Sequence, residues 1–461
     1  MTAGLHPPAD SPPVQELPTL DRKLFPYPKP PVRIVHLGLG AFHRSHQAWY
    51  TQQAGDAGQW GIAAFTGRRP DAALALAAQD GLFTVIERAD GGDSFSVVGS
   101  IVEAADGGNV ERLAELLAAP ETAVVTLTIT EAAYGLGAED LPLLAAGEKP
   151  ATPMGRLAAG LAARRDAGAG PLAVVSCDNL SDNGTVARGA LLGLAGKLDA
   201  GLAGWIEANV SFVSTSVDRI TPRTTEDDLA LVGERCGYRD TSPVVTEPFH
   251  NWVLSGRFPA GRPRWEDAGA VFVDDIEPYE NRKLWLLNGA HSILAYGGQL
   301  RGHATVAEAL ADPTCRKAVE QFWNAAEANL PSAGLELPAY RAALLERFSN
   351  ARIAHHLAQI AMDGSTKLRM RAVPVLKAER AAGRTGAAAA LMIAAWMDFT
   401  ASGAQVHDPL AADVAAANRL TGSGRTGALL ELVDAGLAAD HAVVELVDSL
   451  AGSFSREPAA T

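Results

Sequence analysis

The chain has 461 residues, of which 48% are hydrophobic and 20% charged, values typical of a globular protein with two or three domains. Its formal net charge of -14 argues against nonspecific nucleic-acid binding, which needs a basic surface. The chain opens without a basic, apolar leader and contains no long uncharged apolar run, so we expect a cytoplasmic protein without a membrane span.

Proline crowds residues 1–30, where apolar periodicity is weak, so this stretch is expected to be an extended arm or a disordered tail. The chain changes character at Val32. The run VRIVHLGLG predicts a buried strand that ends in glycines, and residues 45–53 can form the helix that follows.

Short runs of branched apolar residues recur at residues 60–65, 123–129, 172–176 and 210–214. Ala- and Leu-rich helical spans separate most of them, at residues 71–78, 110–119, 153–167 and 186–197. This alternation predicts an α/β fold, a Rossmann-like doubly wound domain at residues 31–276. Residues 93–103 are interpreted as an inserted hairpin. The strand signals stop after residue 275, so an all-helical domain is expected at residues 277–461.

The first strand leads into Gly38 and Gly40, which begin like the dinucleotide-binding fingerprint. The third glycine of that fingerprint is absent, and His43 stands in its place. The alternative is an ordinary glycine-rich turn. After the second strand, Thr66 and Arg68 stand where an acidic residue would hold the ribose of NAD, so the residues leave NAD and NADP both open.

The three cysteines, Cys177, Cys236 and Cys315, lack metal-ligand spacing. They fit a reducing compartment, and no metal site is predicted. Cys177 has no cationic neighbour in the sequence, so it is expected to be a small buried residue rather than a reactive thiol.

The segment from residue 279 to 291 places Lys283, Asn288 and His291 in a run rich in Leu and Trp. At about 100° per residue, Lys283, His291 and Asn288 would lie at roughly 0°, 80° and 140° around a helix. Burial lowers the pKa of a lysine, which could then accept a proton from a hydroxyl group. The alternative is an amphipathic helix with its polar residues in water.

Six ordered motifs resemble those of the polyol-specific long-chain dehydrogenases. They are G-x-G-x-F-H-R-x-H-Q from Gly38, T-x-T-E-x-x-Y from Thr128, S-C-D-N-x-x-x-N-G from Ser176, V-D-R-I-T-P from Val217, E-P-F-x-x-W from Glu247 and K-L-x-L-L-N-x-x-H-S from Lys283. The resemblance implies a metal-independent, NAD-dependent oxidoreductase, with NADP not excluded. The cofactor-binding residues expected from it are Gly38, Gly40, Phe42, His43, Arg44, Thr66 and Arg68, with His43 and Arg44 serving either cofactor phosphates or helix packing.

The same resemblance implies the catalytic roles. Lys283 would be the general base in alcohol oxidation, Asn179 and Asn288 would stabilise the reacting oxygen, and His291 would hold a neighbouring substrate hydroxyl. Asp218 and Lys367 would contact the substrate. Two of these residues have structural alternatives: Asn179 as a cap after its strand, and Asp218 as the ion-pair partner of Arg219.

The expected substrate is an uncharged polyol and its ketose, of the mannitol and fructose type. The alternatives are a hexuronate and mannitol 1-phosphate, whose anionic groups would need an extra cation from Lys367, Arg369 or Arg371. Gln359 replaces an arginine that often precedes the segment Ile360–Lys367 in that family, which weakens the case for an anionic group. A non-catalytic dinucleotide sensor is the alternative of another class. Monomer and homodimer are both compatible with the resemblance.

Overall fold

The computed structural model describes residues 17–135, 140–353 and 355–455, and the chain forms two compact units. The first, called the sheet unit, takes in the described residues up to Glu87 together with Asp93–Thr246 and Gly256–Val271. The second, called the helical unit, takes in Arg88–Gly92, Glu247–Ser255 and the described residues from Phe272 onward. The expected Rossmann-like fold followed by a mostly helical C-terminal part is confirmed, whereas the continuous boundary at residue 276 stays a prediction.

The strands within the described residues are β1 Val32–Leu37, β2 Gly61–Phe65, β3 Phe83–Ala89, β4 Gly92–Val98, β5 Ile101–Ala105, β6 Val124–Leu127, β7 Leu172–Ser176, β8 Val210–Asp218, β9 Val244–Thr246, β10 Asn251–Ser255 and β11 Val271–Val273. Six strands of the sheet unit lie in the order β8-β7-β6-β1-β2-β5, and each neighbouring pair among them is parallel. Strand order therefore reverses between β1 and β6, the topological switch point at which dinucleotides bind in doubly wound sheets.

The helices of the sheet unit cover a sheet that is apolar on both faces. Every residue of β2, β6 and β7 is buried, as expected for parallel strands between two helical layers. The helices are α1 Ala41–His43, α2 Trp49–Gln53, α3 Asp71–Ala77, α4 Val110–Ala118, α5 Asp140–Ala145, α6 Pro153–Ala167, α7 Asn183–Leu198, α8 Ala200–Asn209 and α9 Glu226–Cys236. A π-helical segment, Arg44–Ala48, joins α1 to α2.

The expected hairpin at residues 93–103 is wrong. Strands β4 and β5 belong to different sheets: β5 pairs with β2, whereas β4 lies beside β3 in a three-stranded sheet with β9. The hairpin is instead β3–β4, joined by Asp90 and Gly91. Asp-Gly is a strong hairpin-turn signal, and it places the turn before the first residue of the expected hairpin.

Residues 17–30 are an ordered part of the sheet unit rather than a disordered tail. Leu20 is fully buried in a small core cluster with Tyr238 and Val245. The Arg22 guanidinium donates hydrogen bonds to the backbone carbonyls of Gly99 and Ile101. The remainder of the expected arm, residues 1–16, lies outside the described residues.

The helical unit is built around apolar helices. Helix α18 carries nine buried residues among fifteen, and a helix that is apolar on nearly all sides belongs in a core. The helices are α10 Glu277–Arg282, α11 Ala290–Leu300, α12 Val306–Ala311, α13 Pro313–Glu327, α14 Leu337–Ser349, α15 Leu357–Ile360, α16 Gly364–Arg371, α17 Val373–Ala381, α18 Ala387–Ala401, α19 Ala411–Ala417, α20 Gly422–Val433, α21 Ala435–Ala438 and α22 His441–Ser449. Between α10 and α11 the chain forms a second π-helical segment, Lys283–Gly289.

Candidate functional site

The turn after β1 requires glycine at one position. Gly38 has a φ of +108°, and a Cβ there would lie 2.1 Å from the carbonyl oxygen of Thr128. Gly40 is extended, and a Cβ added to it would make only an ordinary contact, 3.6 Å from the Gly38 oxygen. The backbone therefore passes β6 at a separation that excludes every side chain at residue 38, whereas residue 40 tolerates one.

A buried histidine, His36, supports this turn through the Thr128 hydroxyl. Thr128 Oγ1 donates to the Gly38 carbonyl oxygen at 2.9 Å and lies 3.1 Å from His36 Nε2. Since that hydroxyl proton is already donated, Nε2 carries the ring hydrogen and donates to Thr128. His36 Nδ1 then accepts from Thr126 Oγ1 at 2.8 Å. Burial lowers the pKa of His36 to about 3, so the ring stays neutral and keeps this tautomer.

A cleft of about 880 Å³ opens beside the turn, at the carboxyl ends of β1, β2 and β6. Its walls combine backbone-rich turns with few large side chains, and the lining residues used below are Gly38, Leu39, Gly67, Arg68, Ile129 and Thr130. The cleft lies at the switch point of the sheet, and its volume suits a ligand of dinucleotide or drug size. The glycine turn at Gly38 therefore borders this cleft, and its role in nucleotide binding stays a prediction.

Arg68 and Thr66 differ in what they contact. Arg68 is exposed and lines the cleft, and within the described residues its guanidinium makes no ion pair. Thr66 is buried, and its hydroxyl accepts a hydrogen bond from the Gly107 backbone N–H at 3.0 Å. Thr66 therefore fixes the loop after β5, whereas Arg68 is available to a ligand.

The side chains after Gly40 do not line the cleft. His43 is fully buried, and its ring stacks on that of His36 with 3.3 Å between centroids and 7° between planes. Arg44 donates hydrogen bonds to the backbone oxygens of Gly40 and Ser242. The Phe42 ring lies 5.0 Å from that of His46. These contacts support the packing alternative for His43 and Arg44.

Asp178 is a residue that the sequence interpretation did not single out. It is 8% exposed, and its carboxylate accepts hydrogen bonds from the backbone N–H groups of Ile129 and Thr130 and from the Tyr134 hydroxyl. It lies two residues after the end of β7, and an acidic residue close behind a fully buried strand is the signal that could have drawn attention to it. The next residue, Asn179, is exposed after the same strand.

Two further predictions concern the strand ends of the sheet unit. Asp218 ends β8 and is 9% exposed. Its neighbour Arg219 forms an ion pair with Glu87 and donates to the Ser45 backbone oxygen at 2.6 Å. Cys177 is buried, and desolvation raises its pKa, which agrees with its expected role as a small inert residue.

In the helical unit, the π-helical segment holds two of the predicted catalytic residues. Lys283 and Asn288 are five residues apart, the separation that a π-helical hydrogen bond spans. Both are half-buried, whereas Trp285, Leu286 and Leu287 between them are buried. The two polar side chains therefore occupy one partly open side of the segment. π-helical turns recur at functional sites.

His291 follows one turn later on α11 and is 7% exposed. Its ring centroid lies 4.7 Å from that of Phe348 and 4.8 Å from that of His355. Within the described residues, no hydrogen-bond partner reaches Nε2. Desolvation, followed by the charges of His355 and Arg347, lowers the pKa of His291 well below its usual value, so the ring is neutral at physiological pH.

Cationic side chains surround His291. Arg371 on α16 donates to the Asn288 backbone oxygen at 3.1 Å and to Ser292 Oγ at 3.0 Å. Lys367, one turn earlier on α16, donates to the Ile360 backbone oxygen at 3.0 Å. Desolvation, with the Arg371 charge, lowers the pKa of Lys367. Both cations act electrostatically on His291. Arg369 instead reaches the Leu432 backbone oxygen.

Arg347 was also missed by the sequence interpretation. Its guanidinium forms an ion pair with Glu247 at 2.7 Å, and each side chain is 3% exposed. It also lies over the Phe249 ring at 4.8 Å. Glu247 and Phe249 belong to the E-P-F-x-x-W motif, so the motif fixes an arginine next to His291. An ion pair between two such distant segments of the chain has no local pattern from which one sequence could predict it.

Within the described residues, no group of three or more His, Cys, Asp or Glu side chains is arranged to hold a metal ion. No helix among those described has both the length and the apolar character needed to cross a membrane.

Two family models together match most of the chain. Residues 32–267 match the family model for the mannitol dehydrogenase Rossmann domain, and residues 275–451 match that for the mannitol dehydrogenase C-terminal domain. D-mannonate oxidoreductase of Escherichia coli (strain K12) is 39% identical, over 88% of this chain and 89% of that protein. Mannitol 2-dehydrogenase of Cereibacter sphaeroides is 37% identical, over 79% of this chain and 80% of that protein.

Two solved structures are similar over almost the whole chain. A ternary complex of Pseudomonas fluorescens mannitol 2-dehydrogenase with NAD and D-mannitol is 34% identical, covers 95% of this chain and 96% of its own, and has a TM-score of 0.76. A substrate-free D-sorbitol dehydrogenase is 27% identical, covers 94% of this chain and 99% of its own, and has a TM-score of 0.85.

Proposed function

This chain belongs to the mannitol dehydrogenase family of oxidoreductases, and we propose that it interconverts a polyol and its ketose, of the mannitol and fructose type, with NAD. The observation that carries the proposal is the cleft at the switch point beside Gly38, in a chain 34% identical to a protein whose structure contains NAD and D-mannitol. The same similarity favours NAD over NADP as the cofactor.

The cleft residues fit a dinucleotide. The missing Cβ of Gly38 lets the turn pass close to Thr128 at the edge of the cleft, and Arg68 offers an exposed cation after β2. When bound, the nicotinamide ring supplies the hydride acceptor for alcohol oxidation. The task of the protein is then to bind the cofactor and to move the hydroxyl proton.

Lys283 is the proposed proton acceptor. As the general base it takes the proton from the substrate hydroxyl at Nζ, and in ketone reduction it returns that proton. The Asn288 amide, one π-helical turn away, donates a hydrogen bond to the oxygen that loses its proton. His291, neutral and with Nε2 without a partner among the described residues, binds a neighbouring hydroxyl. The resemblance implies a second oxygen donor at Asn179 and a substrate contact at Asp218.

A sugar acid is the second candidate substrate. Lys367, Arg371 and Arg347 all act on His291 with positive charge, and a carboxylate would neutralise part of this field. The similarity to a D-mannonate oxidoreductase, at 39% identity, favours the same substrate class. The polyol remains the first proposal because Arg347 is already paired with Glu247.

A substrate panel tests the proposal directly. The purified protein is assayed with NAD(H) and NADP(H) on mannitol, arabinitol, fructose, fructuronate and mannitol 1-phosphate, with and without a chelator. Turnover of an uncharged polyol or ketose without loss to the chelator is expected. Exclusive turnover of the uronate would transfer the proposal to the sugar-acid class, and the absence of any turnover would overturn both.

We also propose a cytoplasmic location. Its support is that Cys177, Cys236 and Cys315 are all free thiols, which suits a reducing compartment. Fractionation of expressing cells checks this, and recovery from an oxidising compartment would contradict it.

A further inference from the structure

Thr130 has an unusual backbone conformation at the wall of the cleft. Its φ is +74° and its ψ is +155°, a region that L side chains rarely adopt and that is most unfavourable for a β-branched residue. Glycine would be the ordinary residue there. Threonine at such a residue indicates that its side chain serves a purpose beyond the turn.

A buried carboxylate maintains the conformation. Asp178 accepts from the Thr130 backbone N–H at 2.8 Å and from that of Ile129 at 3.0 Å. The Tyr134 hydroxyl donates to the same carboxylate at 2.6 Å and lies 2.7 Å from Ser176 Oγ. Three donors satisfy a carboxylate that is 8% exposed. Desolvation, followed by the Asp178 charge, raises the pKa of Tyr134, so the phenol remains a donor.

The consequence is an exposed threonine at the wall of the cleft. Thr130 is exposed and lines the cleft together with Gly38, Leu39 and Arg68. Within the described residues, its Oγ1 makes no hydrogen bond. Thr130 thus lies exposed at the wall beside the glycine turn, while Asp178 accepts hydrogen bonds from the backbone on the buried side.

We propose that Thr130 contacts the cofactor, with its hydroxyl bonded to an oxygen of the pyrophosphate–ribose chain, and that Asp178 and Tyr134 position it. The inference rests on the proposed function and extends it to a residue outside the glycine turn. Strained conformations are retained where surrounding contacts over-determine them and where they serve binding. A contact with the cofactor explains three features together: the strained backbone of Thr130, its hydrogen bond to the buried Asp178 carboxylate and the exposure of its side chain.

Four variants separate the hydroxyl from the backbone. Thr130→Val keeps the shape and the strain but removes the hydroxyl, and Thr130→Ser restores it. Thr130→Gly relieves the strain and also removes the hydroxyl. Thr421→Val is the matched control, because Thr421 is an exposed threonine before α20 whose side chain makes no capping hydrogen bond. The Kd for NADH is measured by fluorescence titration, and Tm by thermal unfolding.

We expect the valine and glycine variants to weaken NADH binding about tenfold, the effect of one hydrogen bond to a polar or charged group. The serine and Thr421→Val variants keep the Kd of the original protein. ADP-ribose, ADP and AMP locate the contact: equal loss for ADP and ADP-ribose assigns it to the pyrophosphate, and loss for ADP-ribose alone assigns it to the distal ribose. A glycine variant that binds NADH as tightly as the original protein would overturn the proposal.

The positioning role has its own readout. In Asp178→Asn the amide NH2 faces either the Thr130 N–H or the donors of Ile129 and Tyr134, and each orientation sets donor against donor. The variant should therefore raise the Kd for NADH while the KM for the alcohol changes little. Tyr134→Phe should have the same direction with a smaller effect. Equal changes in both constants would indicate general disruption and contradict positioning. If the unmodified protein binds no NADH, the proposed function fails as well. If the unmodified protein binds NADH and Thr130→Val binds it equally tightly, only this inference fails.

Discussion

Lys283 and Asn288 lie one turn apart in a π-helical segment, and both face a partly open side of it. In a regular α-helix these two residues would be separated by roughly 140°. The π-helical turn narrows this gap, because its hydrogen bonds join residues five apart. The segment therefore brings a candidate base and a candidate oxygen donor to one side without any contribution from distant parts of the chain.

Removal of the Lys283 amine should abolish most turnover. We expect Lys283→Ala to lower kcat by about 10²–10⁴-fold, the usual contribution of a general base, with little change in the Kd for NADH. Lys317→Ala is the control, because Lys317 is an exposed lysine on α13 of the same unit. A Lys283→Ala variant with full activity would refute the lysine mechanism.

Asn288 should act mainly on the transition state. Asn288→Ala is expected to lower kcat and kcat/KM equally, by about 10²–10³-fold, as for the loss of one donor to a developing oxyanion. Asn288→Asp should be slower still, because a carboxylate repels the negative charge on the substrate oxygen. Steady-state kinetics on the preferred alcohol measure both. An aspartate variant that is faster than the alanine variant would contradict the role.

The two glycines of the turn should respond differently to alanine. Gly38→Ala places a Cβ 2.1 Å from the Thr128 oxygen at a φ of +108°, so we expect lost NADH binding and a loss of at least about 1–3 kcal/mol in stability. Gly40→Ala meets only an ordinary contact at 3.6 Å and should bind NADH nearly normally. NADH titration and thermal unfolding of both variants decide the point. Equal tolerance at both residues would show that the turn is not built as described.

Arg68 should influence the choice between the two cofactors. Its exposed guanidinium can pair with a 2′-phosphate, so Arg68→Ala is expected to lower kcat/KM for NADP by about tenfold or more and that for NAD by much less. Arg69→Ala is the matched control, because the Arg69 side chain is 85% exposed and pairs with Asp71. Equal losses of kcat/KM with both cofactors would mean that Arg68 does not distinguish a 2′-phosphate from a 2′-hydroxyl.

The fold was predictable where local sequence decides it. Parallel strands buried on both faces, such as β2 and β7, are runs of apolar residues that apolar patterning detects. Strand β4 alternates between exposed and half-buried residues, so its partner was decided by the Asp90–Gly91 turn rather than by patterning. The π-helical segment leaves no such signal, since one extra residue per turn does not change the apolar content.

The candidate site was predictable only in part, for a related reason. Gly38, Arg68 and Thr130 come from different strand ends, and a parallel sheet brings such ends together. Which side chains turn inward depends on contacts between distant residues. Asp178 reaches Thr130 across 48 residues, and Arg347 reaches Glu247 across a larger separation. Neither pairing has a local pattern, and the stacking of His43 on His36, which supports a packing role, has none either.

Acid should destabilise the protein through its buried histidines. Burial lowers the pKa of His36 to about 3 and those of His43 and His291 well below 6.5. Below pH 6.5 the unfolded chain binds protons that the folded chain does not, so the free energy of unfolding falls as the pH falls. Each such histidine contributes about 1.4 kcal/mol per pH unit once its unfolded form is protonated.

A single histidine should be separable from this total. Between about pH 6 and pH 5, the unfolded form of His36 gains most of a proton, whereas carboxylates change less. His36→Asn should therefore lower the pH dependence of unfolding in this range by about 1 kcal/mol per pH unit, whatever its effect on absolute stability. His441→Asn is the control, because His441 is exposed at the start of α22. The urea midpoint at several pH values measures the slope, and the same slope in His36→Asn as in the original protein would mean that His36 is not buried and neutral in the folded chain.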